Sequence, residues 1–209
     1  VALTKVRGGG VDNPLTLGGG SASDRSIIFD GNAQDFHIGL DDSADSLTIG
    51  LGSTLGTTSH MVIDANGNIT KPLQPAFDVR KSGNQNNISN SGYDTITFDT
   101  ETYDIGSNFA SNTFTAPVTG KYHLTLNIRL DNVDTGATYY NIGITTSNRS
   151  HFQLFQPNHP SDVAYYVQTM TVVADMDASD TATCSIFQNG GTSQTDINTS
   201  TIFCGYLLG

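Results

Sequence analysis

Tryptophan, the indole platform on which sugar-cleaving clefts commonly stack their substrate, is absent from this chain. Basic residues are nearly as scarce: nine Lys and Arg stand against twenty Asp and Glu, for a formal net charge of -11. Phosphate binding needs clustered cations and none cluster here, so nucleic acid is excluded as a partner. No apolar run approaches the roughly 20 residues that cross a bilayer as a helix, and no membrane insertion is expected. Glu101 is the only glutamate, so the carboxylate pair that glycosidic cleavage requires would have to come from aspartates. There is no G-x-S-x-G turn, and neither cysteine has a neighbouring cue for activation. Enzymatic activity is not expected. The two cysteines, Cys184 and Cys204, sit in β-like runs and read as buried, reduced thiols, with a disulfide as the alternative. Initiator Met and signal-peptide pattern are both missing at Val1, so the sequence reads as the C-terminal part of a longer chain.

What is present is a β-forming vocabulary. Of the residues, 36% are hydrophobic and 14% charged, with 22 Gly and abundant Thr, Ser and Asn, and no stretch of ten or more carries helical periodicity. Tyr122, Leu124, Leu126, Ile128 and Leu130 alternate with His123, Thr125, Asn127 and Arg129, which is the two-residue period of a strand with one face in a core. At the end of the chain Phe203, Gly205 and Leu207 alternate with Ile202, Cys204, Tyr206 and Leu208. That strand is apolar on both faces apart from Gly205, so it calls for a core on one side and another layer, a second subunit, on the other.

These two segments resemble the globular head of the first complement component's q subunit, a relative of the tumour necrosis factor jelly roll. In that family a Phe, a Pro, a Gly and an aromatic open a central strand, here Phe114, Pro117, Gly120 and Tyr122. The domain ends on an aromatic, a Gly and two aliphatics, here Phe203, Gly205, Leu207 and Leu208. Ala76 and Phe77 match the opening Ala-Phe, and Ile96 and Phe98 the next strand. The likeness spans roughly residues 75 to 209, strongest at its ends. Cys204 stands where the family usually has a small polar residue, and no Gly-X-Y stem lies upstream. The resemblance implies an antiparallel jelly roll that assembles as a homotrimer, and Tyr122, Phe203, Cys204, Tyr206 and Leu208 are the expected trimer-interface residues.

Residues 1–74 read differently. Short aliphatic snippets are cut by Gly and Asp every few residues, Asp30-Gly31 and Asn66-Gly67 signal tight turns, and Met61 to Thr70 is the best hairpin candidate. With Phe29 and Phe36 as its only aromatics, a segment of this size could hardly build its own core. The expectation is an interwoven, β-rich trimeric fibre shaft that lends strands to neighbouring chains. DSADSLTIGLGS, followed by an aliphatic-Asp-x-Asn-Gly-Asn turn and a Pro, resembles the region before the tip domain in phage tail-fibre proteins. Lys71-Pro72 and Gln74-Pro75 mark the boundary, and residues 75–209 are expected to hold eight to ten strands.

Recognition is expected from aromatic and amide side chains of the middle of the head: Tyr139, Tyr140, Asn148, Arg149, His151, Phe152, Asn158 and His159. Asn132 and Asn189 are further loop candidates. No cofactor is expected; calcium is the one cation the acidic groups could hold. Asp64, Asn66 and Asn68 have the oxygen spacing of a calcium loop, but Ile69 and Pro75 occupy the positions that require Gly and an acid, so the segment reads as a turn. Asp175, Asp177 and Asp180 form another such group. The resulting expectation is a virion component at the tip of a tail fibre, non-catalytic and trimeric. It would bind a bacterial surface glycan or protein and join the rest of the fibre. Alternatives are a structural trimerisation clamp and a secreted, complement-like glycan-binding adaptor.

Overall fold

Every regular element among residues 16–208, which the computed structural model describes, is a β-strand, and all pairing is antiparallel. The chain divides into two units, Val1–Leu73 and Gln74–Gly209.

In the first unit β1 (Arg25–Phe29), β2 (Phe36–Asp41), β3 (Ser46–Leu51), β4 (Ser59–Ile63) and β5 (Ile69–Thr70) form one sheet in chain order. The expected hairpin between Met61 and Thr70 is the β4–β5 pair. Its turn is closed by the Asp64 carboxylate, which accepts the backbone N–H groups of Asn66 and Asn68, each at 2.9 Å, while Gly67 takes a φ of +84°. Neighbouring strands thus satisfy each other's backbone within the chain, whereas the sequence had pointed to strands lent to neighbours. Register places Ile27, Ile38, Ile49 and Met61 in one row across four strands, flanked by Phe29, Phe36 and Leu51 on one side and Leu40, Leu47, Ile63 and Ile69 on the other. The opposite face carries His37, Gly39, Thr48 and Gly50. That polar face is the buried one: His37 Nδ1 lies 2.9 Å from the Gly52 carbonyl oxygen, and Leu55 of the 52–58 connection packs over Gly39.

The second unit contains twelve strands among the described residues. One sheet runs β13 (Ser150–Phe155), β12 (Tyr139–Thr146), β15 (Thr181–Asn189), β10 (Thr113–Thr115) and β9 (Phe109–Ala110), with β7 (Tyr93–Thr95) also paired to β15. The other runs β14 (Val163–Met176), β11 (Gly120–Val133), β17 (Ile202–Leu207), β6 (Ala76–Arg80) and β8 (Thr100–Ile105), with β16 (Asp196–Ile197) also paired to β11. This is an antiparallel jelly roll. Its strands exceed the expected eight to ten because short or polar ones escape periodicity: β8 reads TETYDI and is largely exposed.

Between the sheets lies one core. Tyr122, Leu124, Leu126, Ile128 and Leu130 project from β11 and meet Tyr140, Ile142, Ile144, Cys184 and Ile186 of the other sheet, all fully buried. Each such side chain contributes about 1.5–3 kcal/mol of burial. The Phe77 ring centres this core, 4.6 Å from that of Phe114 and 5.0 Å from that of Phe203. Gly205 admits it, since a Cβ there would lie 2.9 Å from the Phe77 ring and 2.6 Å from Leu124 Cδ2. Two of the residues expected at a trimer interface are therefore interior instead. Tyr122 and Phe203 are fully buried in their own protomer, Tyr122 with its hydroxyl donating to the Val118 carbonyl at 2.8 Å. Cys184 points into the core and Cys204 out of the opposite sheet, and both are free thiols; burial raises both above the ordinary thiol value, Cys184 strongly.

Candidate recognition site

Antiparallel topology gathers the connections β11–β12, β13–β14 and β15–β16 at one end of the jelly roll, where the 81–92 segment joins them. Amide-rich stretches of low periodicity supply these loops, and their backbones are held by carboxylates rather than by a ladder. Asp162 Oδ1 accepts the Thr135 N–H at 3.0 Å and the Thr135 hydroxyl at 2.9 Å, and its Oδ2 accepts Gln194 Nε2 at 2.8 Å. These bonds, led by the Thr135 backbone, hold the Asp162 carboxyl below its ordinary value. Asp196 accepts the Asn87 N–H at 2.8 Å and Asn132 Nδ2 at 3.2 Å. Asn87 and Asn132 both adopt positive φ, 54° and 56°, a conformation that asparagine tolerates better than most residues.

Beneath them Asp134, almost fully buried, accepts the Gly136 N–H at 2.7 Å and the Thr192 N–H. Gly191 permits this approach: its φ is +72°, and a Cβ would collide with the Asp134 carboxylate. The Tyr140 hydroxyl rises out of the core to the same point, accepting the Asp134 N–H at 3.1 Å and pairing with the Thr195 hydroxyl at 2.8 Å. Burial pushes its phenol up, so it stays a neutral donor.

Asn87, Asn132, Asp162, Val163, Ala164, Gln194 and Asp196 line an open cavity of about 490 Å³, within the size range of small-ligand sites. A second one of about 340 Å³ lies beside it, lined by Thr135, Ala137, Thr138, Gln156, Pro157 and Asn158. The Thr135–Asp162–Gln194 bridge connects the loops of both. Amides that donate and accept, with two carboxylates that accept from hydroxyls, suit a neutral, hydroxyl-rich ligand.

The eight expected recognition residues do not form one site. Asn158 lines the smaller cavity and His159 is exposed beside it. Asn148 and Arg149 are exposed at the opposite end of the eight-residue β12, roughly 25 Å away at a rise of about 3.3 Å per residue. Asn148 is engaged there, its Nδ2 donating to Asp180 at 2.7 Å. His151 is half-buried, and its Nε2 is buried without a hydrogen-bond partner. Tyr140 is a correction: it is fully buried and touches no ligand surface, acting instead on the loop end through Asp134 and Thr195. Tyr139 and Phe152 join Tyr93 and Phe187 in an aromatic cluster on the outer face of β13, β12 and β15, with ring centroids 5.0–5.8 Å apart. Phe152 packs against Gly143, where a Cβ would lie 2.6 Å from its ring.

The outer face of the other sheet bears Tyr206, stacked on His123 at 5.1 Å, beside half-buried Cys204 and exposed Val173 and Leu208. Higher on it Tyr165 packs under the Arg129 guanidinium at 4.7 Å. Among the described residues no group of three metal-ligating side chains converges.

Sequence reasoning missed Asn87, Asp162, Gln194 and Asp196 in the larger cavity. The signal was compositional: GNQNNISN and GGTSQTD concentrate amides and hydroxyls between strands.

The family model of the C1q domain matches residues 76–208. No curated protein matches the chain. Among solved structures, the globular domain of zebrafish complement 1qA protein is similar, at 19% identity and a TM-score of 0.46, covering 65% of this chain and 98% of that one. Murine APRIL is also similar, at 12% identity and a TM-score of 0.47, covering 65% and 99%.

Proposed function

We propose, from the premise that this chain belongs to the C1q-domain family through residues 76–208, that its jelly roll is a non-catalytic recognition head. In this reading it works as a homotrimer at the tip of a phage tail fibre and binds a bacterial surface glycan or protein during adsorption. The observation that carries the reading is the loop-end cavity, whose amides and carboxylates suit a neutral hydroxyl-rich ligand. Its acidic lining is a poor match for anionic groups, so the favoured receptor chemistry is an uncharged glycan. Three heads on one axis offer three equivalent cavities, and weak contacts then sum to durable attachment. The tail-fibre context draws on the resemblance of residues 42–72 to the segment before phage fibre tips.

The test is direct binding of the purified chain to host cells, with non-host cells as the control. Retention on the host alone supports the reading, and equal or absent retention on both overturns it. A second reading, a secreted glycan-binding adaptor, draws on the family match itself. A signal peptide or a Gly-X-Y stem in the full reading frame would favour it over the tail fibre.

A further inference from the structure

We propose that the apolar face of the β1–β5 meander is an assembly surface that packs against the same face of other copies of this chain, sheet on sheet and without exchange of strands. The observation is an inversion of the usual sheet. The chain uses its own 52–58 connection to cover the polar face, where His37 and Thr48 are 1% and 2% exposed. The face built on the Ile27–Ile38–Ile49–Met61 row is left open, with Ile27 45% and Phe29 60% exposed.

A patch of this kind does not persist in water. Seven of its large side chains, Ile27, Phe29 and Ile49 among them, are 39–60% exposed, while Ile38, Leu51, Met61 and Ile63 are half-buried. The seven together present on the order of 700 Å², above the roughly 300–600 Å² of the largest patch on an ordinary monomer. That figure is close to the about 800 Å² that each partner of a standard stable interface contributes. β2 and β3 are paired along both edges, and the free edges are those of β1 and of the β4–β5 side. The apolar area lies on the face rather than at these edges, so the partner is met through side chains, at the spacing of about 10 Å that separates packed sheets.

Charge selects the occupant. The chain carries a net charge of -11, so two copies approach only where neither presents carboxylates. Among the described residues the acidic side chains of this unit lie away from the apolar face: Asp24, Asp30, Asp35, Asp42, Asp45 and Asp64 outside the strands, and Asp41 on the polar side in register with Ser46. Arg25, at the margin, is turned back onto Ser21 and Ser23. A second copy is thus matched in polarity and area with no charge to bury. The number of copies, three, rests on the trimeric reading of the head; the packing of this face on itself does not.

The test uses the full chain in a Cys204→Ser background, with Ile49→Cys at the centre of the open face and Thr48→Cys on the covered face as the control. Mild oxidation is read on a non-reducing gel, alongside the binding of an apolar fluorescent dye to the otherwise unaltered chain. The expected result is covalent linking of copies through position 49 and loss of that linking at position 48, with little dye bound. Absence of linking at 49 together with strong dye binding would overturn the proposal, since the face would then be open. A chain that is trimeric by light scattering yet gives that second result would retain the trimeric head and lose only this inference. An Ile38→Glu/Ile49→Glu variant keeps the test independent of thiol chemistry: hydrogen exchange of residues 25–70 should speed up several-fold while residues 76–208 are unchanged. Unchanged exchange in both segments would count against the proposal.

Discussion

The Tyr140 and Thr195 hydroxyls lie 2.8 Å apart, and through this pair the core of the jelly roll fixes the loops that line its cavity. Tyr140 is fully buried and stacks its ring 4.9 Å from that of Phe155. Thr195 stands between Gln194 and Asp196, two of the cavity's lining residues.

Tyr140→Phe removes one partner each from the Thr195 hydroxyl and the Asp134 N–H while preserving the ring. The Asp134 N–H keeps the Thr195 hydroxyl at 3.2 Å, and that hydroxyl keeps the Asn132 carbonyl at 3.3 Å. The expected cost is about 0.5–1.5 kcal/mol, that of a lost hydrogen bond rather than of an orphaned group. Denaturant unfolding checks this through a lower midpoint at an unchanged slope.

Asp162 makes the loop bridge pH-dependent in a defined direction. Its carboxyl is held below the ordinary aspartate value by the Thr135 and Gln194 donors. The bridge is therefore fully formed above the unfolded aspartate value and is lost only as pH falls through the lower folded one. Amide exchange at Thr135, corrected for its intrinsic pH dependence, should stay protected through mildly acidic pH and open below that range. The Asp162→Asn variant, which keeps an acceptor oxygen for the Thr135 N–H, should lose the transition, and Asp162→Ala should lose both the transition and the protection.

Gly205→Ala places a methyl against Leu124 and the Phe77 ring. Overpacking of this kind costs about 1–3 kcal/mol, and thermal unfolding should report it as a lowered Tm.

Tyr206 is 45% exposed in the protomer and stacks on His123. In the trimeric reading it lies between subunits, so light scattering of the native chain should give three times the chain mass, unchanged by a chelator. Tyr206→Asp should shift the population toward single chains.

The long β11 was legible because Tyr122 to Leu130 alternate without interruption, and β17 was legible as a strand from its own alternation around Gly205. What the alternation could not assign was direction. Tyr139 and Tyr140 are adjacent aromatics on opposite faces of β12, so either could have been the core residue, and only the packing against Phe155 decides for Tyr140. Phe203 and Cys204 posed the same ambiguity on a strand that is apolar on both faces. β8 was hidden for another reason, since its TETYDI is polar and lies at a sheet edge. The larger cavity was least legible, because Asn87, Asn132, Asp162 and Asp196 come from four separated segments that topology alone brings together. In the first unit the aliphatic snippets were visible, but the paucity of aromatics suggested borrowed strands. The 30–35 connection, looser than the tight turn that Asp30-Gly31 signals, and the turn at Asn66-Gly67 instead let the chain pair with itself.

The most direct measurement is competition between the purified chain and virions for adsorption to host cells, with an Asn132→Ala/Gln194→Ala variant run in parallel. The recognition-head account predicts that the native chain slows adsorption in a dose-dependent way and that the folded variant does not. Equal adsorption in the presence of native chain, variant or buffer would contradict it.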